Sequence, residues 1–317
     1  MTMVRGEYAQ LLAPGLHHIF LQHQDLLMRD EEFSHILNVT NSEQAYELEL
    51  EMAGVGPMPL KEEATAVTYQ DAIQGGTQLY THVPYALGMR ASWELYKDDQ
   101  YNVIEAIPKI LRRSAQFTKE QAAFNNFNLG FSTVKTADGV SLFNSQHPLL
   151  GGAMATNTAI GLTGTIYSAG TFPNEPSTDL DISVTAIQLA INQFQRLVDG
   201  TGIPVVLKPK ILLIPPELIW LAREILGSPN RPYTADNEIN ALVSEGLQVF
   251  VGHYLSSHTA WFLLCEKESH RIMFFEREAL DDDYADDFDT RSVKVMSYMR
   301  FSTGATTWYG TWGSNGP

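Results

Sequence analysis

Hydrophobic residues make up 44% of this 317-residue chain, enough for a substantial core or two subdomains and too many for a disordered polymer. Its formal net charge of −16 argues against a basic groove that grips phosphate backbones, although a wall that repels a polyanion can still enclose one. No apolar run approaches the ~20 residues of a membrane span, and the N-terminus MTMVRGEYAQ lacks the apolar core of a secretory signal. The single cysteine, Cys265, excludes an internal disulfide framework and a Cys-rich zinc site; its setting, AWFLLC, predicts a small buried hydrophobe.

Residues 1–45 carry two small apolar groups, Tyr8 to Phe20 interrupted by Pro14–Gly15, and Phe33, Ile36 and Leu37. They read as an arm with helical pieces and too little apolar surface for a core of its own, in need of a surface on the same subunit or a neighbour. Tyr46 to Met52, YELELEM, alternates strictly and predicts a strand with one apolar and one acidic face. Gly54, Gly56, Pro57 and Pro59 break it; Ala64 to Tyr69 has some β-propensity, and Thr77 to Ala86 is extended again. This is the sequence of a long hairpin excursion, marginal without a covering layer and with edges open to another chain.

Asp98 to Phe131 follows, DDQYNVIEAIPKILRRSAQFTKEQAAFNNFNLGF. Ile107, Ile110, Leu111, Ala115, Phe117, Ala122, Phe124 and Phe127 recur at helical spacing, with Lys109, Arg112, Arg113, Lys119 and Glu120 expected mostly on other faces. Pro108 either opens the main helix after a separate lead-in from Asn102 or kinks a longer one, and Gly130 is placed to end it. From Pro108 to Leu129 such a rod would span roughly 33 Å.

Ser132 to Pro176 is rich in Gly, Thr, Ser and Asn and predicts turns and loop. A helix capped by Asp181 or Ser183 carries the stripe Ile187, Ala190, Ile191, Phe194, Leu197 and Val198 up to Gly200. Then come a strand from Val205 to Ile214 broken by Pro209, a helix from Leu218 to Leu226, and strands over Leu247–Val251, Ala260–Cys265 and Arg271–Phe275. The acidic run Asp281 to Asp289 reads as a solvated, like-charged loop before the closing strands Ser292–Arg300 and Ala305–Trp312. Helices and strands mix without βαβ regularity, so the fold class is α+β.

The chemical signatures are missing: no phosphate-cradling G-x-x-x-x-G-K-[ST], no G-x-S-x-G and no H-E-x-x-H. His17, His18 and His23 lie in a polar arm without matching carboxylates or thiols. His147 has no identifiable nucleophile beside it and is expected to be a loop histidine bonded to backbone. A calcium loop begun at Asp281 would need glycine sixth and glutamate twelfth, where Asp286 and Ser292 stand. Trp308, Tyr309 and Trp312 have the spacing of core or subunit-contact aromatics. No catalytic, cofactor-binding or metal-binding residue is assigned, and no cofactor is expected.

Taken in order, these segments resemble the tailed-phage major capsid proteins, specifically the Mu-type major head subunit group with the HK97-like capsid fold. DDQYNVIEAIPKILRRSAQFTKEQAAFNNFNLGF resembles the family's spine-helix region and DGVSLFNSQHPLLGG the segment after it. SVTAIQLAINQFQRLVDGTGIPVVLKPKILLIPPELIWLAREIL resembles the axial domain's helix–strand–helix run, and HTAWFLL and DFDTRSVKVMSYMRFSTGATTWYGTWGSNG its closing strands. The match runs from Tyr46 to Gly316.

The resemblance implies an N-terminal arm over 1–45, an extended loop over 46–92, a peripheral domain with the spine helix over 93–135 and 271–301, and an axial domain over 136–270 and 302–317. It implies a structural protein, not an enzyme, whose pentamers and hexamers close an icosahedral shell around double-stranded DNA, as part of the virion and assembled in the bacterial host cytoplasm. It also implies a portal and a maturation protease as partners. Some relatives carry a long cleaved N-terminal scaffolding segment; with some 45 residues before the loop, a separate scaffolding protein is expected here. Some cross-link their extended loop covalently; Lys61 is the only lysine in this one and no partner residue matches, so no cross-link is expected. Two rivals stay open: an encapsulin-like compartment shell with an enzyme cargo, and a soluble enzyme with an unrecognised pocket of clustered titratable groups.

Overall fold

The apolar repeat around Pro108 folds as one 22-residue helix, Ile107–Asn128, and the other elements are arranged about it. The computed structural model of the protein describes residues 31–55, 58, 60–69, 71–98, 107–149, 171–198, 203–230 and 239–316. In chain order they form α1 (Phe33–Ile36), β1 (Asn38–Asn41), β2 (Tyr46–Ala53), β3 (Ile73–Thr81), β4 (Val83–Ser92), α2 (Trp93–Asp98) and α3 (Ile107–Asn128). There follow β5 (His147–Pro148), β6 (Thr171–Phe172), α4 (Val184–Gln195), β7 (Pro209–Ile214), α5 (Ile219–Gly227), β8 (Gln248–Val251), β9 (Trp261–Cys265), β10 (Ile272–Asp287), β11 (Ser292–Ala305) and β12 (Thr311–Ser314). One four-stranded sheet has the order β1-β10-β11-β4, a second the order β12-β9-β7-β8, and β2-β3 and β5-β6 are two-stranded. The expected α+β class holds.

Pro108 stands in the first turn of α3, where its missing N–H leaves no helical bond unmade. The lead-in expected from Asn102 lies outside the described residues, apart from Ile107. Leu111, Ala115, Phe124 and Phe127 are buried as the spacing predicts, and the two phenylalanines tie the two sheets together. Phe124 and Phe127 share one cluster with Phe274 and Phe301 of the first sheet, and the ring of Phe127 lies 5.3 Å from that of Phe262 in the second. Phe117 departs from the expected stripe: it is 52% exposed. Gly130 ends the helix by close approach, since a Cβ there would stand 2.6 Å from the Asn126 carbonyl oxygen and 2.8 Å from the Phe143 ring.

Two charged residues expected on outer faces of α3 are buried: Lys119 is 8% and Glu120 1% exposed. The cause is the segment before β1, which lies on this part of the helix. Glu120 accepts the backbone N–H groups of Glu32 at 2.5 Å and Phe33 at 3.1 Å, capping α1 from across the chain. Lys119 sits 2.6 Å from the Glu276 carboxylate and 3.6 Å from Glu31. Phe33, Ile36 and Leu37 enter the central core, with Phe33 packed 4.5 Å from the Phe274 ring, so their covering surface is their own subunit.

A second core lies between α4 and α5 and the sheet of β7, β9 and β12. Ser183, of the two candidate caps, receives the Ala186 N–H at 3.1 Å. The helix stops at Gln195, and Gly200 lies outside the described residues. Pro209 begins β7 and does not break it; a proline is tolerated as the first residue of a strand. Trp261 and Trp312 meet at 4.8 Å across neighbouring strands.

The acidic run corrects the sequence reading most clearly. Asp281 to Asp287 is the outer half of β10, paired residue by residue with Ser292 to Tyr298. Aspartate is a poor strand former, but β11 offers an alternating partner, SVKVMSYM, and cations stand beside the run. Arg112 reaches Asp282 at 2.9 Å, while Arg90 and Lys294 reach Asp287 at 2.8 and 2.7 Å. Conversely Ala64–Tyr69, expected to lean towards β, forms no strand.

Glu120→Ala strips two backbone donors of their acceptor and is expected to cost about 2 kcal/mol or more. It should lower the urea midpoint and raise exchange at the amides of Glu32 and Phe33; unchanged protection there would show that packing alone holds residues 31–37. Gly130→Ala is expected to cost about 1–3 kcal/mol through overpacking against Phe143, read as a fall in thermal midpoint.

Candidate assembly surface

The hairpin of β2 and β3 places its two faces in an order opposite to that of an ordinary surface hairpin. In β2 the carboxylates point towards the body: Glu51 is 8% exposed. The apolar side chains point away, with Tyr46, Leu48 and Met52 exposed by 56, 58 and 64%. Leu79 of β3, at 55%, is the register partner of Leu48 and extends the same outward stripe. Beyond the strands, Met58, Leu60 and Tyr69 are almost fully exposed. The alternation expected of YELELEM is present; what the sequence could not assign is which face turns inward.

The inward face is held by polar contacts and by the Tyr80 ring, which is buried 4.9 Å from that of Phe275. Ser42 donates to Glu47 at 2.6 Å and lies 3.1 Å from His82 Nε2, while His82 Nδ1 meets Ser302 at 3.0 Å. His82 is thus the joint between β3 and β4, which belong to different sheets. Burial lowers the tendency of its ring to take a proton, and the Arg300 guanidinium adds to that. Thr306 donates to Glu49, and its hydroxyl is 2.6 Å from that of Tyr80. Burial pushes the Glu51 carboxyl up to about 7; the Asp138 charge adds to this, and a hydrogen bond from Tyr309 opposes it.

Glu51 sits at a bulge. Leu50 pairs with Thr77 and Met52 with Gln74, so this one residue faces both Gly75 and Gly76. Gly76 in turn lies directly on the Ala137 carbonyl, where a Cβ would be 1.7 Å from the oxygen. No other residue type fits that approach.

Asp138, next to this contact, belongs to a buried polar cluster. His147 Nδ1 is 2.7 Å from Asp138 Oδ2, its Nε2 is 3.2 Å from Asn174 Oδ1, and its ring stacks 4.6 Å from Trp308. The expectation of a backbone-bonded loop histidine is therefore corrected: its partners are side chains brought together by the fold. Asn174 Nδ2 donates to the Leu142 carbonyl and its Oδ1 accepts from Asn144 N–H, which fixes the amide and turns an acceptor towards the imidazole. Both ring nitrogens are engaged, so the ring has no free position for proton abstraction. Burial alone would raise the Asp138 carboxyl, but hydrogen bonds from His147 and Thr136 outweigh it and hold it below the usual carboxylate range.

His17, His18 and His23 lie outside the described residues. Lys61 is exposed on the loop between β2 and β3. Cys265 is buried, and burial pushes its thiol up to about 12. Trp308 and Trp312 are core residues, 2 and 1% exposed. Among the described residues no three or more His, Cys, Asp or Glu side chains converge as a metal site, and no helix is long and apolar enough to cross a membrane. A groove of about 270 Å³ between α3 and the first sheet is lined by Tyr85, Leu87, Leu111, Ala115, Leu280 and Met299 with small polar neighbours, and presents no carboxylate, imidazole or amine.

No curated protein matches the sequence. Among solved structures, the capsid of cyanophage P-SCSP1u aligns over 88% of this chain and 85% of its own, at 11% identity and a TM-score of 0.53. The capsid of a native GTA particle aligns over 90% of each chain at 13% identity and a TM-score of 0.55. A chain of Mycobacterium phage Adephagia aligns over 99 and 98% at 13% identity and a TM-score of 0.53. At these identities the likeness establishes the fold, the HK97-like capsid fold. The family model described as phage capsid protein matches residues 75–313, about three quarters of the sequence, and the chain belongs to that family.

Proposed function

We propose that this chain is the major head subunit of a tailed phage or prophage of the Mu-type group, and that its copies close an icosahedral shell around double-stranded DNA through the outward face of the β2–β3 hairpin. The observation that carries this reading is the solvent-facing row Tyr46, Leu48, Leu50 and Met52, with Leu79 opposite. A lone subunit leaves this row wet; a neighbour that covers it gains about 1 kcal/mol per half-exposed side chain, at every hairpin of the shell. The contact is repeated by symmetry, so modest pairwise gains add up to a stable container.

In this reading the arm is 1–45 and the extended loop 46–92, whose returning limb β4 joins the sheet of β10 and β11. The peripheral domain takes 93–135 and 271–301, and the axial domain 136–270 and 302–317. The subunit has a structural role, not an enzymatic one. Pentamers and hexamers form in the bacterial cytoplasm with a separate scaffolding protein, a maturation protease and a portal, and the shell becomes part of the virion. The net charge of −16 suits a wall that encloses DNA without binding it.

The test is assembly itself. Wild-type protein co-expressed with its phage's assembly genes should give large closed particles by electron microscopy, containing DNA and no enzyme cargo, and the subunit should run as a monomer on denaturing gels. Leu48→Asp with Leu79→Asp places charge on the stripe; it should leave far-UV circular dichroism unchanged and reduce particle yield at least tenfold. A subunit that stays a single freely tumbling molecule even when co-expressed with those assembly genes would overturn the reading, as would normal particles from the double variant.

A further inference from the structure

Apart from the Tyr80 ring, buried against Phe275, the described contacts that join the hairpin to its own subunit are polar, and its most buried carboxylate lies within electrostatic reach of another one. We propose that the β2–β3 hairpin is a proton-gated latch: with Glu51 protonated it lies against its own subunit, and ionisation of Glu51 opposite Asp138 releases it to reach a neighbouring copy.

Four observations converge on this. Glu51 is inward, at the bulge where Gly75 and Gly76 let β3 meet the Ala137 carbonyl. Asp138 follows Ala137 in sequence and is held as an anion by His147 and Thr136. Ala137 also donates its N–H to the Thr306 carbonyl at 2.9 Å, and Thr306 donates to Glu49, so the same short segment anchors the hairpin twice. Finally, the outward face is apolar, with Tyr46, Leu48, Leu50, Met52 and Leu79 exposed by 42–64%. A hairpin pinned by acids on one side and seeking apolar cover on the other has two resting places, and the charge on the pinned side sets the balance between them.

The groups facing Glu51 are Asp138 and, behind it, His147, together with the Tyr309 hydroxyl from the turn before β12. Glu49 faces Thr306 and Tyr80, with Arg271 nearby; Glu47 faces Ser42 and His82, with Arg277 and Arg300 nearby. The sign follows from burial. Docked, the Glu51 carboxyl is raised from 4.5 to about 7. The docked hairpin therefore holds a proton that the released one gives up. Docking is fully supported below about pH 4.5, weakens as pH rises, and reaches its low plateau above about pH 7. One proton across that window changes the opening equilibrium by about tenfold per pH unit, ~300-fold in all.

Glu120 is also raised to about 7, so global stability falls over the same window and cannot serve as the readout. The experiment is amide exchange resolved to β2 and β3, corrected for the intrinsic pH dependence of exchange, on the unassembled subunit between pH 4.5 and 8.5. The wild type should show opening of the hairpin that rises with pH and levels off near 7, with β9 protected throughout. Glu51→Gln should be protected and flat with pH; Gly76→Ala, which leaves no room over Ala137, should open at every pH. A flat wild-type profile overturns the latch without reference to any variant, and so does a pH dependence that survives in Glu51→Gln. The latch is a property of one chain, whereas its use in assembly rests on the shell reading. Release with pH in a subunit that never forms particles would support the one and sink the other.

Discussion

A β-hairpin cannot keep both faces satisfied when one is acidic, the other aliphatic and only one is covered. In this chain the acidic face has the cover. Glu47, Glu49 and Glu51 find hydroxyls on their own subunit, and Leu48, Leu50 and Leu79 are left to solvent. The reverse docking would cover the leucines and leave three carboxylates in water, the usual arrangement for a monomer, at the cost of uncovering Tyr80, now packed on Phe275. That the fold adopts the other arrangement makes the hairpin an incomplete interface. In the proposed shell, the missing half is another copy of this chain.

The rest of the architecture supports that hairpin at a fixed place. Helix α3 binds the two sheets through Phe124 and Phe127, and its buried pair Lys119 and Glu120 holds the chain entering β1. Strand β1 pairs in parallel with β10, which pairs with β11, which pairs with β4, the continuation of the hairpin past His82. The route from the core to the joint is therefore a continuous ladder of backbone hydrogen bonds. Beyond the joint the hairpin meets its own subunit through side-chain hydrogen bonds, the Tyr80 ring on Phe275 and one glycine approach.

Much of this was legible in the residues. The period of 3.6 around Ile110, Leu111 and Phe124 gave the long helix nearly to the residue, because a strong apolar repeat with a first-turn proline has few other solutions. The alternation of YELELEM gave the strand. Neither pattern contains the information that turned out to matter: alternation specifies two faces and is silent on which one meets the body. The burial of Lys119 and Glu120 was hidden for the same reason, since it is caused by residues nearly ninety positions away in sequence. The strand over Asp281 to Asp287 was missed because local propensity counts five aspartates against it, whereas the deciding factor is a long alternating partner and three nearby cations. His147 looked like a loop residue until Asp138, Asn174 and Trp308 converged on it. Such convergence is set by tertiary structure, and residue order alone does not encode it in readable form.

Burying acids to hold an assembly element has a consequence that burying hydrophobic groups would not. Apolar docking varies little between pH 5 and 8, so a hairpin held that way would be either always down or always free. A carboxylate docked beside another carboxylate makes the same contact conditional, because each pH unit between the free and docked protonation points shifts the balance by about 1.4 kcal/mol. That is comparable with the gain from covering one half-exposed leucine of the outward stripe. The two faces of one strand are thus matched in size, and a subunit so built can stay closed while it is alone and open when a neighbour's surface competes for it.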